Sequence, residues 1–295
     1  MALSMYNFSI IIPHRNSYNL LVRCLDSIPN RDDLQIIVVD DNSEKATLDS
    51  LNSDIKKRKN VELIPLVEEK GGAGHARNVG LSHAQGKWIL FSDCDDEYSA
   101  DLNELMDQYL DSNYDVVYYD YIYKYNQKES EPVCSSKRIK GDNEAYLKYK
   151  VLAPWNKMVK KSLIDKNNIF FEECPNGNDL FYSFQVGYYS NNVCFSPDVI
   201  YHYYRNVIGI TNRRNTDSGY LCSFEHLYKC NNFYRFIGQK QWCQSVIVKL
   251  ISILYKQGVR AMFQATKVFL RNKKQIIENQ NAFVDYFISH SASSL

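Results

Sequence analysis

Three carboxylates crowd into four positions at the end of the stretch KWILFSDCDDE, residues 87–97: Asp93, Asp95 and Asp96. Two like charges about 4 Å apart repel by roughly 4 kcal/mol at an effective dielectric of 20, so a fold that gathers these groups needs something to offset them. A divalent cation meets that need, because hard oxygen ligands suit Mn²⁺ or Mg²⁺ held through one or two carboxylates, with water and phosphate completing the shell. The same residues would serve an acidic loop that only caps the helix beginning near Ser99. A second group able to do chemistry is Asp179, which with Asn178 opens an amphipathic stretch. An aspartate there is first a helix cap, worth about 1 kcal/mol, and a carboxylate so held can also act as a base. The third is the segment GGAGHARNVG, residues 71–80, which carries Gly72, Gly74 and Arg77. Its third fingerprint glycine is replaced by Arg77, so a dinucleotide-binding loop is a poor match. A glycine-rich start to a helix still lets backbone N–H groups approach phosphate, with Arg77 adding a charged contact; a surface ion pair is the plainer alternative.

The elements that would position these groups follow from periodicity. Phe8 to Ile12, Gln35 to Val39, Val61 to Leu66 and Trp88 to Ser92 are short apolar runs of the kind that fill strands buried on both faces. Tyr18 to Ile28, Ala46 to Arg58 and Gly74 to Ala84, lying between them, have helical spacing. This alternation predicts an α/β fold with a doubly wound, mainly parallel sheet and helices on both faces. Ligands of such sheets bind outside the carboxyl ends of the strands, and His14 to Asn16, Asp40 to Ser43 and Asp93 to Asp96 would all meet on that edge. Further on, Asp101 to Leu110 reads as a helix, Asp115 to Tyr121 as a strand, and Lys124 to Asp142 as a polar excursion. Shorter pieces follow: WNKMV from Trp155, a helix from Ser162 to Asn167, and the strand Val199 to Tyr204 before Arg205 and a segment rich in Gly, Asn and Thr.

Charge and composition narrow the function. Thirty-five basic residues balance 34 acidic ones, which argues against a nucleic-acid-binding surface. The eight cysteines form no C-x-x-C pair and no signal-peptide pattern opens the chain, so reduced thiols in a cytoplasm are expected. No apolar run reaches the length of a membrane span.

In order and spacing, FSIIIPHRN, IIVVDDNS, AGHARNVGLSHAQGKWILFSDCDDE, WNKM and NDLF resemble the family 2 glycosyltransferases of the GT-A fold, over about Phe8 to Thr211. The resemblance implies inverting transfer from a nucleotide-sugar, most often a UDP-sugar, to an acceptor hydroxyl, aided by Mn²⁺ or Mg²⁺. Carried over by position, Pro13 and Asn16 shape the nucleotide pocket, Asp41 holds the base and Asp93 lies near the ribose; Arg15, Gly74 and Arg77 are expected beside them in the donor pocket from their place on the same edge. Asp93 and Asp95 face the metal, Asp179 is the catalytic base, and Trp155 and Asn178 lie on the acceptor side. Two departures stand out. His14 and Arg15 occupy positions that are usually small apolar and aromatic, and the family's Glu-Asp pair is here Asn178-Asp179.

The implied partners are a nucleotide-sugar donor and a glycan or lipid-linked glycan acceptor in cell-surface polysaccharide synthesis. A nucleotidyltransferase and a non-catalytic scaffold of a polysaccharide assembly complex are the rival readings; the first lacks its glycine-rich triphosphate loop, since Pro13 to Tyr18 contains no glycine. Residues 1–215 are expected to form the catalytic domain and 216–295 a C-terminal helical region. In that region Lys249, Lys256, Arg260, Lys267, Arg271 and Lys274 would share one stripe of a continuous helix, a solvated face or a peripheral contact with anionic membrane at its inner side.

Overall fold

A computed structural model describes residues 6–67, 71–125, 128–133, 144–174, 177–204 and 217–272. The chain divides into two compact units: Met1–Glu173 with Asn178–Asn206, and Cys174–Gly177 with Val207–Leu295.

The first unit holds one mixed sheet. β1 (Phe8–His14), β2 (Leu34–Asp40), β3 (Val61–Pro65) and β4 (Trp88–Phe91) run parallel in the order β3-β2-β1-β4. α1 (Tyr18–Asp26), α2 (Lys45–Ile55) and α3 (Ala73–His83) are the intervening helices. Every residue of β1, β2 and β4 is buried, as their continuous apolar runs require. The two-residue period of a strand sends alternate side chains to opposite layers. Phe8, Ile10, Ile12, Leu34, Ile36 and Val38 pack with Leu21, Leu25 and Leu51 from α1 and α2, whereas Ile11, Ile37, Val39, Ile89 and Phe91 pack with Ala76 of α3. Helices cover both faces, as the alternation predicts.

Beyond β4 the sheet becomes mixed. β5 (Glu97–Tyr98) and α4 (Leu102–Tyr109) lead into β6 (Val116–Tyr125), which forms a hairpin with β7 (Lys128–Glu129). After α5 (Glu144–Lys150), β8 (Lys157–Lys160) lies antiparallel between β4 and β6. The sheet then continues through β9 (Val193–Tyr204), parallel to β6, to β5 at the edge. α6 (Lys161–Asn167) and α7 (Asn178–Tyr189) join the layer that contains α3. The parallel expectation therefore holds for β1 to β4. β8, from the segment opening at Trp155, interrupts it by running antiparallel to both β4 and β6, and β9 is again parallel to β6.

The second unit, as described, consists of α8 (Asp217–Phe236), a single 3₁₀ turn (Lys240–Trp242) and α9 (Val246–Asn272). Non-helical backbone at Gly258, φ 85° and ψ 178°, divides α9 in two. The continuous helix assumed for the basic stripe is therefore broken at the residue best able to adopt that conformation. Lys274 lies outside the described residues. No helix among the described residues is long and apolar enough to cross a membrane.

One close approach tests the packing of α3 on β1. A Cβ added to Gly80 would lie 2.4 Å from Cγ2 of the fully buried Ile11. Gly80→Ala should therefore destabilise the fold by about 1–3 kcal/mol, read as a lowered urea midpoint with an unchanged slope.

Candidate active site

The site is assembled where β1, β2 and β4 end. At the end of β1, His14 donates from Nδ1 to Oδ1 of Asp40 at 2.9 Å and accepts at Nε2 the Ser17 N–H at 3.0 Å. Asp40 also accepts from the Ser43 N–H and hydroxyl. Burial pushes the Asp40 carboxyl up, but the hydrogen bonds from His14 and Ser43 outweigh it, and its pKa ends below the ordinary value. His14, 2% exposed, thus clamps two loops together, which accounts for a histidine where the resemblance calls for a small apolar residue. Asn16, at φ 49°, continues the clamp: its N–H donates to Ser43 Oγ and its Oδ1 accepts the Glu44 N–H at the start of α2. Pro13 is buried within β1. Arg15 is exposed above the edge, with Nη1 3.9 Å from Oδ2 of Asp41.

Asp41 ties β2 to the start of α3. It is buried, and its Oδ2 accepts the Gly72 N–H at 2.9 Å while Oδ1 has no hydrogen-bond partner. An orphaned buried acceptor at the carboxyl edge of a parallel sheet fits a donor group arriving with a ligand. A close approach of two segments also requires glycine at position 74. A Cβ there would lie 2.1 Å from the Glu172 carbonyl oxygen and 3.0 Å from Cβ of Asn178, so its bareness brings α3 against the segment leading into α7.

Arg77 joins the parts. One terminal nitrogen donates to Asp93 Oδ1 at 2.5 Å and the other to Asn178 Oδ1 at 2.7 Å, with the guanidinium 5.4 Å from the centre of the Phe171 ring. Arg77 is buried and engaged at both tips, so it bridges the acidic turn to the helix that carries Asp179. Asp179 lies close enough to this bridge to feel it. Burial raises its pKa above the ordinary carboxylate value, the Arg77 charge pulls it down, and the Asp93 charge adds to the rise. The two carboxylates that the sequence separates by 86 positions therefore share one electrostatic neighbourhood.

The acidic turn itself is anchored from both sides. The Asp93 N–H donates to the Tyr201 hydroxyl at 2.9 Å, and the Asp95 carbonyl accepts from Arg23 of α1. Arg23 also pairs with Glu97 at 2.9 Å and lies 4.0 Å from the centre of the Tyr204 ring. Asp96 turns inward, 1% exposed, and accepts the Tyr204 N–H at 2.7 Å. Burial, with repulsion from Asp93 and Asp95, pushes its pKa up to about 9. Of the three acids, Asp93 and Asp95 keep partly accessible side chains. Their hard oxygen donors at a fixed strand end fit a divalent cation of the Mn²⁺ or Mg²⁺ kind. Trp155 is buried, stacked on Tyr201 at 4.6 Å between centroids with Tyr203 and Tyr121 around it. Arg205 lies outside the described residues. Arg23, Tyr201 and Tyr204 carry no local signal of this role in the sequence, since an arginine on a helix and tyrosines in an aromatic strand are ordinary there.

The sequence model described as Glycosyl transferase family 2 matches residues 9–167, more than half of the chain. The chain belongs to this family. Named relatives include glycosyltransferases of poly(ribitol phosphate). Poly(ribitol-phosphate) beta-glucosyltransferase of Bacillus spizizenii is 45% identical over 92 residues, 30% of this chain and 14% of that protein. Poly(ribitol-phosphate) beta-N-acetylglucosaminyltransferase TarP of Staphylococcus aureus is 25% identical over 295 aligned residues, 93% of this chain and 87% of that protein. The crystal structure of S. aureus TarS 1–349 in complex with UDP-GlcNAc matches with a TM-score of 0.60 at 20% identity, covering 95% of this chain and 79% of that one. The fold is accordingly of the GT-A type. The chain spans 14%, 62% and 35% of the length of three curated relatives it matches. The family match ends before Asp179, so the role of that residue rests on its surroundings.

Those surroundings make a prediction with a sign. Arg77→Gln removes the charge that lowers the Asp179 pKa, so the acid limb of the pH–rate profile should move to higher pH. Arg77→Lys keeps the charge and loses the fork, so it should lower turnover while leaving that limb nearly in place. Initial-rate profiles of the two variants separate charge from geometry.

Proposed function

We propose that this chain transfers a sugar, with inversion, from a nucleotide-sugar, a UDP-sugar in the first instance, to a hydroxyl of a glycan or lipid-linked glycan in cell-surface polymer synthesis. The observation that carries this reading is the Arg77 bridge, which holds a donor-side carboxylate, Asp93, beside the helix start that carries Asp179. The names of the relatives, which act on poly(ribitol phosphate), support a polyol- or sugar-phosphate polymer as the acceptor class.

In the proposed reaction Asp41 offers its orphaned Oδ1 to the N–H of the base, and the Asp41–Gly72 contact sets the floor of the pocket. Pro13, Arg15 and Asn16 form its rim, with Arg15 the exposed cation that reaches outward. Asp93 and Asp95 would hold the divalent cation, which when bound supplies charge to offset that growing on the departing diphosphate. Asp179 takes the proton of the acceptor hydroxyl as its oxygen attacks the anomeric carbon opposite the leaving nucleotide. Burial raises the Asp179 pKa above the ordinary carboxylate value, which makes it a better proton acceptor than a free carboxylate. Asn178 keeps the neighbouring position uncharged and grips Arg77, so no third negative charge adds to the repulsion. Residues 1–215 are the proposed catalytic domain, working on the cytoplasmic side, with the C-terminal helices as the proposed peripheral contact with the membrane.

The test is a pair of substitutions. Asp179→Asn should retain donor binding and lose transfer by about 10²- to 10⁴-fold, the usual worth of a positioned base. Asp95→Asn should lose the Mn²⁺-dependent rise in melting temperature that a UDP-sugar confers on the unaltered chain. Full turnover by Asp179→Asn would remove the base assignment, and absence of any nucleotide-sugar hydrolysis or binding across UDP-, GDP- and dTDP-sugars would favour the scaffold reading.

A further inference from the structure

The second unit carries a surface that the proposed reaction does not use. α9 packs one side on α8, where Val246, Leu250, Ile253, Ala261 and Ala265 meet Leu221, Phe224 and Leu227. A helix that buries one face is ordinarily polar on the other. α9 is not. Before Gly258, Ile247, Val248, Ile251 and Tyr255 are exposed, Tyr255 by 91%. After it, Val259, Phe263 and Leu270 form a second outward row, each between 57% and 60% exposed. Eight of the eleven large apolar side chains exposed among the described residues lie on this one element, counting Leu254 with those seven. Single exposed apolar residues are commonplace, but a contiguous set of this size marks an interaction surface.

The charge on α9 says what would cover it. The helix contains no Asp or Glu over its 27 residues. Lys256, Arg260 and Lys267 are exposed, and Arg260 and Lys267 sit one helical step beside the row of Val259, Phe263 and Leu270. Lys249 is half-buried and stands away from this group. A second copy of the chain would bring one acid-free cationic face against another, with like charges apposed around the apolar centre. An anionic bilayer presents the opposite sign where the lysines and arginines lie and an acyl boundary where the apolar rows lie.

We propose that α9 is an interfacial helix that lies in the surface of an anionic lipid bilayer, its two outward apolar rows inserted below the headgroups and Lys256, Arg260 and Lys267 at the phosphates. The inference deepens the location proposed above and rests on that reading only for its purpose, since a lipid-linked acceptor is met at such a surface. The bend at Gly258 gives the two halves separate directions, so each presents its own apolar row.

The test uses the full chain and large unilamellar vesicles, of phosphatidylcholine with phosphatidylglycerol or of phosphatidylcholine alone, read by co-sedimentation. The unaltered chain should be retained by the anionic vesicles and released as salt is raised, because screening weakens the headgroup contacts. Lys256→Gln, Arg260→Gln and Lys267→Gln together should weaken retention about a hundredfold. Ile251→Ser with Phe263→Ser should weaken it at least about tenfold while leaving the melting curve and UDP binding unchanged. No retention, equal retention on neutral vesicles, or indifference to salt would each overturn the proposal, and the salt titration needs no variant that must fold. A stable oligomer in light scattering that the two serine substitutions dissolve would also overturn it, assigning the face to a second copy. UDP-induced stabilisation measured in the same preparations keeps the two readings apart: its loss with vesicle binding intact would count against the transfer reaction alone.

Discussion

The guanidinium of Arg77 supplies counter-charge where several negative groups come together. Asp93 and Asp179 approach from different elements, and Asp95 and Asp96 follow within the same turn, in surroundings that screen charge far less than water does. A buried cation engaged at both tips answers that repulsion with direction as well as charge, since a planar fork fixes the orientation of both partners. The exchange of the family's glutamate for Asn178 fits the same constraint: the amide oxygen holds the arginine without adding charge. Asp96 meets it by another route, buried against the backbone of β9 with its pKa raised.

Around that bridge the loops are fastened to one another. His14, Asn16, Asp40 and Ser43 form a continuous set of hydrogen bonds between the first two loops, and Asp41 carries it on to the start of α3. Gly74 and Gly80 let α3 lie close to its neighbours on both sides, at the Glu172 carbonyl and at Ile11. Tyr201 and Arg23 grip the acidic turn from β9 and α1. A site built on loops gains from such cross-ties the rigidity that a strand or helix would otherwise lend it. Trp155, stacked under Tyr201, supports the same turn from below through the core.

The second unit answers to a different requirement. Its inner helix face is satisfied by α8, whereas its outer face combines exposed apolar side chains with exposed cations. Water solvates the cations well and the apolar rows poorly, and an amphiphilic boundary accommodates both.

Much of the fold was legible because it depends on near neighbours in the chain. Apolar runs bounded by polar residues marked β1, β2 and β4, helical spacing marked α1 to α3, and their alternation dictated a wound sheet whose carboxyl edge gathers the polar clusters. The identity of Asp93, Asp95 and Asp179 as chemically able groups could also be read there, since type and local spacing were sufficient. What packing alone decided were the pairings between distant residues. Arg77 finds partners 16 and 101 positions away, Asp96 is withdrawn from the edge by β9, and β8 enters the sheet antiparallel. Which side of α9 remains uncovered follows from where α8 lies. The order of residues along a chain determines periodicity and local propensity, but contact between remote side chains is set by how layers close upon one another, and no short window of sequence contains that information.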